Sequence, residues 1–122
     1  MKPAQSLDVA DDSALARELA TDYHLSAEHR SDVLEFLEDR PHLRPLLREA
    51  PAHIHRCFRS AKLLLELTVD PEIEDLVTLW IVVQTTMSVP DALAAYDLLG
   101  KSWWLDAMMA ARDDLEIEPC VI

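Results

Sequence analysis

The sequence predicts an α+β fold in which N-terminal short helices pack on a small three-stranded sheet of order β-β-α-β, and three patterns predict it. From Leu15 to Phe58 apolar residues recur every three or four positions, the spacing of one face of a helix. Over 61–69, 76–85 and 115–122 they alternate instead, the period of a half-buried strand. Between the last two lies Ser88-Val89-Pro90-Asp91, a serine with an acid three residues on and a proline in the first turn, which marks a helix start.

With 122 residues, half of them apolar, the chain is expected to form a single domain over 1–122 that needs no staple: a tail over 1–10, a helical part over 11–59 and a sheet part over 60–122. The first helix should begin near Asp11-Asp12-Ser13, where acids meet the positive end of the dipole, and run through Leu15, Leu19 and Tyr23. Ser26, followed by Glu28, reads as the N-cap of a second helix with the stripe Val33, Leu34, Phe36 and Leu37. Arg40-Pro41 ends it, because the residue before proline is pushed out of helical geometry. Two short helical pieces, 41–49 and 51–58, should follow, each opened by a proline where the missing N–H is tolerated.

The first strand shows Leu63, Leu65, Leu67 and Val69 on one face, and the acid- and proline-bearing stretch Asp70 to Asp75 should turn the chain into an antiparallel second strand. That strand carries Val77, Leu79, Ile81 and Val83 on one face and Trp80 and Val82 on the other, as a strand covered on both sides would. After Ser88, Leu93, Tyr96 and Leu99 make an apolar face that Gly100 should stop, and 101–111 is a further helical piece. The third strand alternates Leu115, Ile117 and Val121 with Glu116, Glu118 and Cys120, and Pro119 places it at an edge. A right-handed crossover most simply brings it beside the first strand, in the order 2-1-3.

Composition removes several function classes. A single glycine leaves no Gly-rich phosphate loop and no G-x-S-x-G nucleophile turn. Cys57 and Cys120 lack a metal-type spacing and read as reduced thiols, and Cys120 stands third from the end where prenylation needs the fourth. No apolar run reaches the roughly 18 residues of a membrane span, and no signal-type segment opens the chain, so a cytoplasmic location is expected. The net charge of −12 is uneven: residues 61–122 hold 12 acidic and 3 basic side chains, a balance of −9. Such a field disfavours nucleic acid and acidic membranes and favours a basic partner. A helix-turn-helix reading of the first two helices meets the same objection, since Glu28, Asp32, Glu35, Glu38 and Asp39 would face phosphates.

Four constellations remain. His53-x-His55-x-Cys57 has ligand atom types, but on a helix His55 points away from the other two. The loop acids Asp70, Glu72, Glu74 and Asp75 could hold a hard cation for a metal-assisted hydrolase, although their spacing is not that of a calcium loop. No metal site, cofactor or catalytic residue is therefore nominated. Arg40, Arg44 and Arg48 head the one basic stretch, which ends at Arg59 and would face an anion or RNA. Trp103 and Trp104 are adjacent, about 100° apart on a helix, so one of them is expected to be available to a partner.

The segments Leu34-Glu35-Phe36-Leu37, His42 to Pro51 with its Leu47-Arg48-Glu49-Ala50-Pro51 end, Leu65-Glu66-Leu67, Asp70-Pro71-Glu72 and Trp103-Trp104-Leu105-Asp106 resemble a group of small uncharacterised bacterial proteins in which similar pieces recur in this order. The likeness covers nearly the whole chain from about Leu15. It implies a bacterial cytosolic protein and carries over no activity. The expected function is that of a non-enzymatic interaction or regulatory protein, antitoxin-like or inhibitor-like, which binds a basic protein through Trp103, Trp104, Glu116 and Glu118. An edge strand of this kind could also pair two copies into a homodimer.

Overall fold

The computed structural model describes residues 14–70, 72–73 and 76–122. The tail expected over 1–10 and the helix start at 11–13 lie outside them. The elements run α1 (residues 14–22), α2 (Arg30–Glu38), α3 (Leu43–Cys57), β1 (Lys62–Val69), β2 (Val77–Thr85), α4 (Val89–Leu99), a π-helical turn (Gly100–Trp104), α5 (Leu105–Ala111) and β3 (Leu115–Val121). This is the α+β architecture that the alternating and helical patterns predict.

Three local expectations change. Ser26 caps a turn rather than α2: its Oγ accepts the Glu28 N–H (3.3 Å) and its carbonyl accepts that of His29 (3.0 Å). The helix itself starts only at Arg30, with no side-chain cap. The pieces expected at 41–49 and 51–58 are one helix, α3, with Pro51 inside it. A proline there removes the N–H that would bond the carbonyl four residues back, that of Leu47. The Tyr23 hydroxyl supplies the missing donor, 2.7 Å from the Leu47 oxygen and buried. Tyr23 is itself buried, and that burial, with Asp22 nearby, raises its phenol far above the ordinary value, so it stays a neutral donor. Gly100, finally, does not stop its helix. It has right-handed φ −58° and ψ −52°, and the chain continues through the wider π turn, where the Leu105 N–H donates to the Gly100 carbonyl, into α5.

The sheet order is β1-β2-β3, with β1 antiparallel and β3 parallel to β2, which corrects the expected 2-1-3. The physical reason lies in β2 and in the outer edge of β1. β2 carries apolar side chains on both faces and takes the centre, and its crossover helices return the chain alongside it in the parallel sense. The far edge of β1 is already engaged by His24, whose N–H donates to Leu63 (2.7 Å) and whose carbonyl accepts from Leu65 (3.1 Å). β3 is an edge strand, as Pro119 requires.

Register aligns Leu63 with Val83, Leu65 with Ile81 and Ile117, and Leu79 with Leu115. All of these side chains are buried on the inner face. They form one core with Val33, Leu37, Leu43, Ile54, Phe58, Leu99 and Trp104 from the helices. Asp114 locks the entry to β3. Its carboxylate accepts from Arg40 Nε (3.3 Å) and lies 3.0 Å from His42 Nε2, while its carbonyl accepts the Leu79 N–H at 2.9 Å. Arg40 also lies over the Phe36 ring, 3.9 Å from its centroid.

Two outcomes follow from these helices. Removing the phenol hydroxyl in Tyr23→Phe should cost about 1–3 kcal/mol, the penalty of a buried, unpaired carbonyl. In a Pro51→Ala background, where residue 51 regains its N–H, the same change should cost markedly less; equal costs in urea denaturation of both backgrounds would disprove the coupling. At Gly100 a Cβ would meet only Leu105 Cγ, at 3.7 Å, an ordinary contact. Gly100→Ala should therefore stabilise the fold by about 0.5–1 kcal/mol through helix propensity, seen as a higher midpoint in thermal unfolding.

Candidate partner-binding surface

Trp103 and Trp104 follow the angular argument only in part. The π turn sends Trp104 into the core at 3% exposure, and Trp103 stays half-buried, stacked on His53 with ring centroids 4.7 Å apart and planes 6° apart. Neither indole stands free. Trp104 nevertheless forms the floor of a surface cleft of about 400 Å³, whose walls are Leu93, Tyr96, Leu105 and Met108 and whose rim includes Asp97 and Glu116. The structure thus brings one tryptophan and one glutamate of the sequence-nominated set to the same place.

Glu116 and Glu118 project from β3 on the face opposite the core. Pairing puts Glu116 next to Trp80 and Trp80 next to Glu66, and puts Glu118 next to Val82 and Val82 next to Leu64. Trp80 and Leu64 are half-buried while Glu66 and Glu118 are exposed, and this small apolar group is separate from the main core. Trp80 is held flat by its indole N–H, which donates to Thr68 Oγ1 at 2.8 Å. Sequence reasoning missed Trp80 as a surface residue. Its even-face position was visible, but it was read as covered from both sides.

Burial, aided by the nearby Asp113, pushes the Glu116 carboxyl above the ordinary range. Burial also raises the Tyr96 phenol, with contributions from Glu116 and Glu118. The Tyr96 hydroxyl donates to the Ile117 carbonyl (2.9 Å) and so closes part of the outer edge of β3. The Glu116 shift has a defined sign. Its proton is held more tightly in the folded than in the unfolded chain, so stability is lost as pH rises from the unfolded to the folded value. Glu116→Gln should raise the unfolding midpoint at neutral pH, and the gain should vanish at about pH 3, below the ordinary glutamate value. A gain that persists unchanged in acid would show another cause.

Two of the three nominated arginines have partners within the chain, and the buried Arg44 Nε has no hydrogen-bond partner among the described residues. Arg40 serves Asp114, Arg48 pairs with Glu18 of α1, and Arg44 lines a small pocket between α1 and α3 together with Glu18, Asp22 and Tyr23. The nominated strip is thus divided between the two ends of α3 and its neighbours.

The histidine–cysteine segment diverges as helical spacing demands. His53 stacks on Trp103, His55 Nε2 lies 3.1 Å from the Ala61 carbonyl, and Cys57 is half-buried beside Ser102. Burial raises the Cys57 thiol against the opposing effects of Ser102 and Arg56. In the loop, Asp70 Oδ1 accepts the N–H groups of Glu72 (2.8 Å) and Ile73 (3.2 Å), so this acid serves its own turn. Glu74 and Asp75 lie outside the described residues. Among the described residues no three His, Cys, Asp or Glu side chains come together as a metal-holding group, and no helix is long and apolar enough to cross a membrane.

No protein-family model, no curated protein and no solved structure matches the chain.

Proposed function

We propose that the chain is a non-enzymatic interaction protein of the bacterial cytosol that binds a basic protein through the acidic outer face of its sheet, as an antitoxin or inhibitor does. The observation that carries this reading is the row Glu66–Trp80–Glu116, with Glu118 beside it, on a face that stands apart from the core. An aromatic side chain hydrogen-bonded to Thr68 and flanked by carboxylates suits a partner that brings lysine or arginine together with apolar surface. The surrounding charge of the sheet half would speed encounter with such a protein and slow it with a like-charged one.

The test begins with tagged protein as bait in cytosol from its host, washed at low and then moderate salt, with mass spectrometry of what is released. A basic protein released by salt is expected. With that protein purified, Glu116→Lys/Glu118→Lys should lower the association rate by about tenfold at low salt, and the difference should shrink as salt screens it. An on-rate equal for the two baits at every salt concentration would refute the reading.

A further inference from the structure

The α4, π-turn and α5 segment presents a second surface that the outer sheet face does not explain. Because Gly100 keeps right-handed geometry, residues 89–111 form one unbroken helical run. Along it, Leu93, Tyr96, Gly100, Trp104 and Met108 line one side of the cleft. Their spacing of three or four residues is that of a single helix stripe, and from Leu93 to Met108 it extends about 22 Å at 1.5 Å per residue. On an ordinary surface helix this stripe would face the core. Here it does so only in part: Trp104 belongs to the core and Tyr96 and Met108 pack against it, while the rim of the stripe faces outward, with Leu93 59% exposed, Leu105 58% and the neighbouring Met109 79%. Exposed apolar surface that is contiguous and has a polar rim marks an interaction site.

Shape and charge define the occupant. An apolar furrow about four helical turns long, with Gly100 in its middle, suits another helix packed side by side. Its β3 flank carries Glu116, with Glu118 two residues on, and the one lysine nearby, Lys101, is already paired with Asp97 at 2.9 Å. Glu116 thus belongs both to this furrow and to the outer sheet face. A second copy of the chain would bring like acids to the seam, whereas a cationic helix would neutralise them.

We propose that this furrow holds an amphipathic helix of the basic partner, its apolar stripe against Trp104 and its lysine or arginine flank on Glu116. The proposal rests on the basic-partner reading and adds the form of the bound segment. Where the outer sheet face steers and selects by charge, the furrow anchors by apolar contact.

The probe is a synthetic peptide of about four helical turns with leucines on one face and lysines on its flanks, compared with a scrambled peptide of identical composition. Calorimetric titration against the full chain at low salt should show the patterned peptide binding more tightly. Leu93→Ser/Leu105→Ser changes two exposed side chains, so the fold should survive by circular dichroism while affinity falls about tenfold or more. Gly100→Ala, a fold-preserving change that fills the middle of the furrow, should weaken binding as well. If both peptides bind equally, or if the serine variant binds as tightly as the parent, the furrow assignment is overturned and the acidic-surface reading stands. If neither peptide binds, the furrow assignment is overturned, and the acidic-surface reading is decided by the on-rate test with the purified partner. A concentration-dependent dimer in sedimentation that Leu93→Ser/Leu105→Ser dissociates would give the furrow to a second copy and overturn the proposal.

Discussion

Proline on the buried face of a helix sets a requirement that the rest of the molecule meets. Pro51 leaves the Leu47 carbonyl, on the buried side of α3, without the donor that any other residue would bring. The Tyr23 hydroxyl answers this carbonyl from the end of α1. The next residue, His24, donates and accepts backbone hydrogen bonds along the free edge of β1. Two consecutive residues therefore fix α1 against α3 and against the sheet. A buried unpaired carbonyl costs about 1–3 kcal/mol, a sizeable part of the 5–15 kcal/mol that typically holds a domain together. That makes the placement of α1 a condition for a continuous α3, and not decoration added to a finished core.

The second long helix is shaped by a different device. A regular α-helix would carry Trp103 and Trp104 at about 100° from one another, and one would leave the interface. The π turn at Gly100–Trp104 inserts a residue, which lets Trp104 reach the core while Trp103 lies on His53 of α3. The two helices are thereby locked together at residues 53–57 and 102–104, with Cys57 packed beside Ser102. After the turn, Leu105 and Met109 lie at the surface, beside the exposed Leu93 of α4.

Much of the fold was legible because period and capping are local signals. The alternation of Leu63, Leu65 and Leu67 against Leu79, Ile81 and Val83 gave both hairpin strands nearly to the residue, and Ser88 does cap α4, its Oγ accepting the Asp91 N–H at 3.2 Å. What failed required knowledge of distant partners. Pro51 and Gly100 carry strong local rules, a start and a stop, and each was overridden: Pro51 because Tyr23 is 28 positions away and supplies a donor, Gly100 because packing holds it right-handed. The strand order failed for the same reason, since nothing near β1 in sequence announces that His24 occupies its edge. At the candidate site, Glu116 and Glu118 were legible from alternation alone. The tryptophan beside them is Trp80, which the two-sided pattern of β2 had assigned to the interior.

Acid count and acid function separate once each carboxylate is placed. Several members of the acidic sheet half are used by the fold itself: Asp114 holds Arg40 and His42, Asp97 holds Lys101, and Asp70 closes its own loop. Glu66, Glu116 and Glu118 make no ion pair with any described residue, and they converge on one face around Trp80 and Val82. Solubility alone would be served by scattered carboxylates, which repel one another least. At Glu116 the surroundings do the opposite, because burial and the nearby Asp113 both disfavour the ionised form. A cation brought by a partner would reverse both terms at once, since an opposite charge close by favours the ionised form that burial disfavours. The arrangement is thus mildly unfavourable in isolation, and a basic partner of the kind proposed would relieve it.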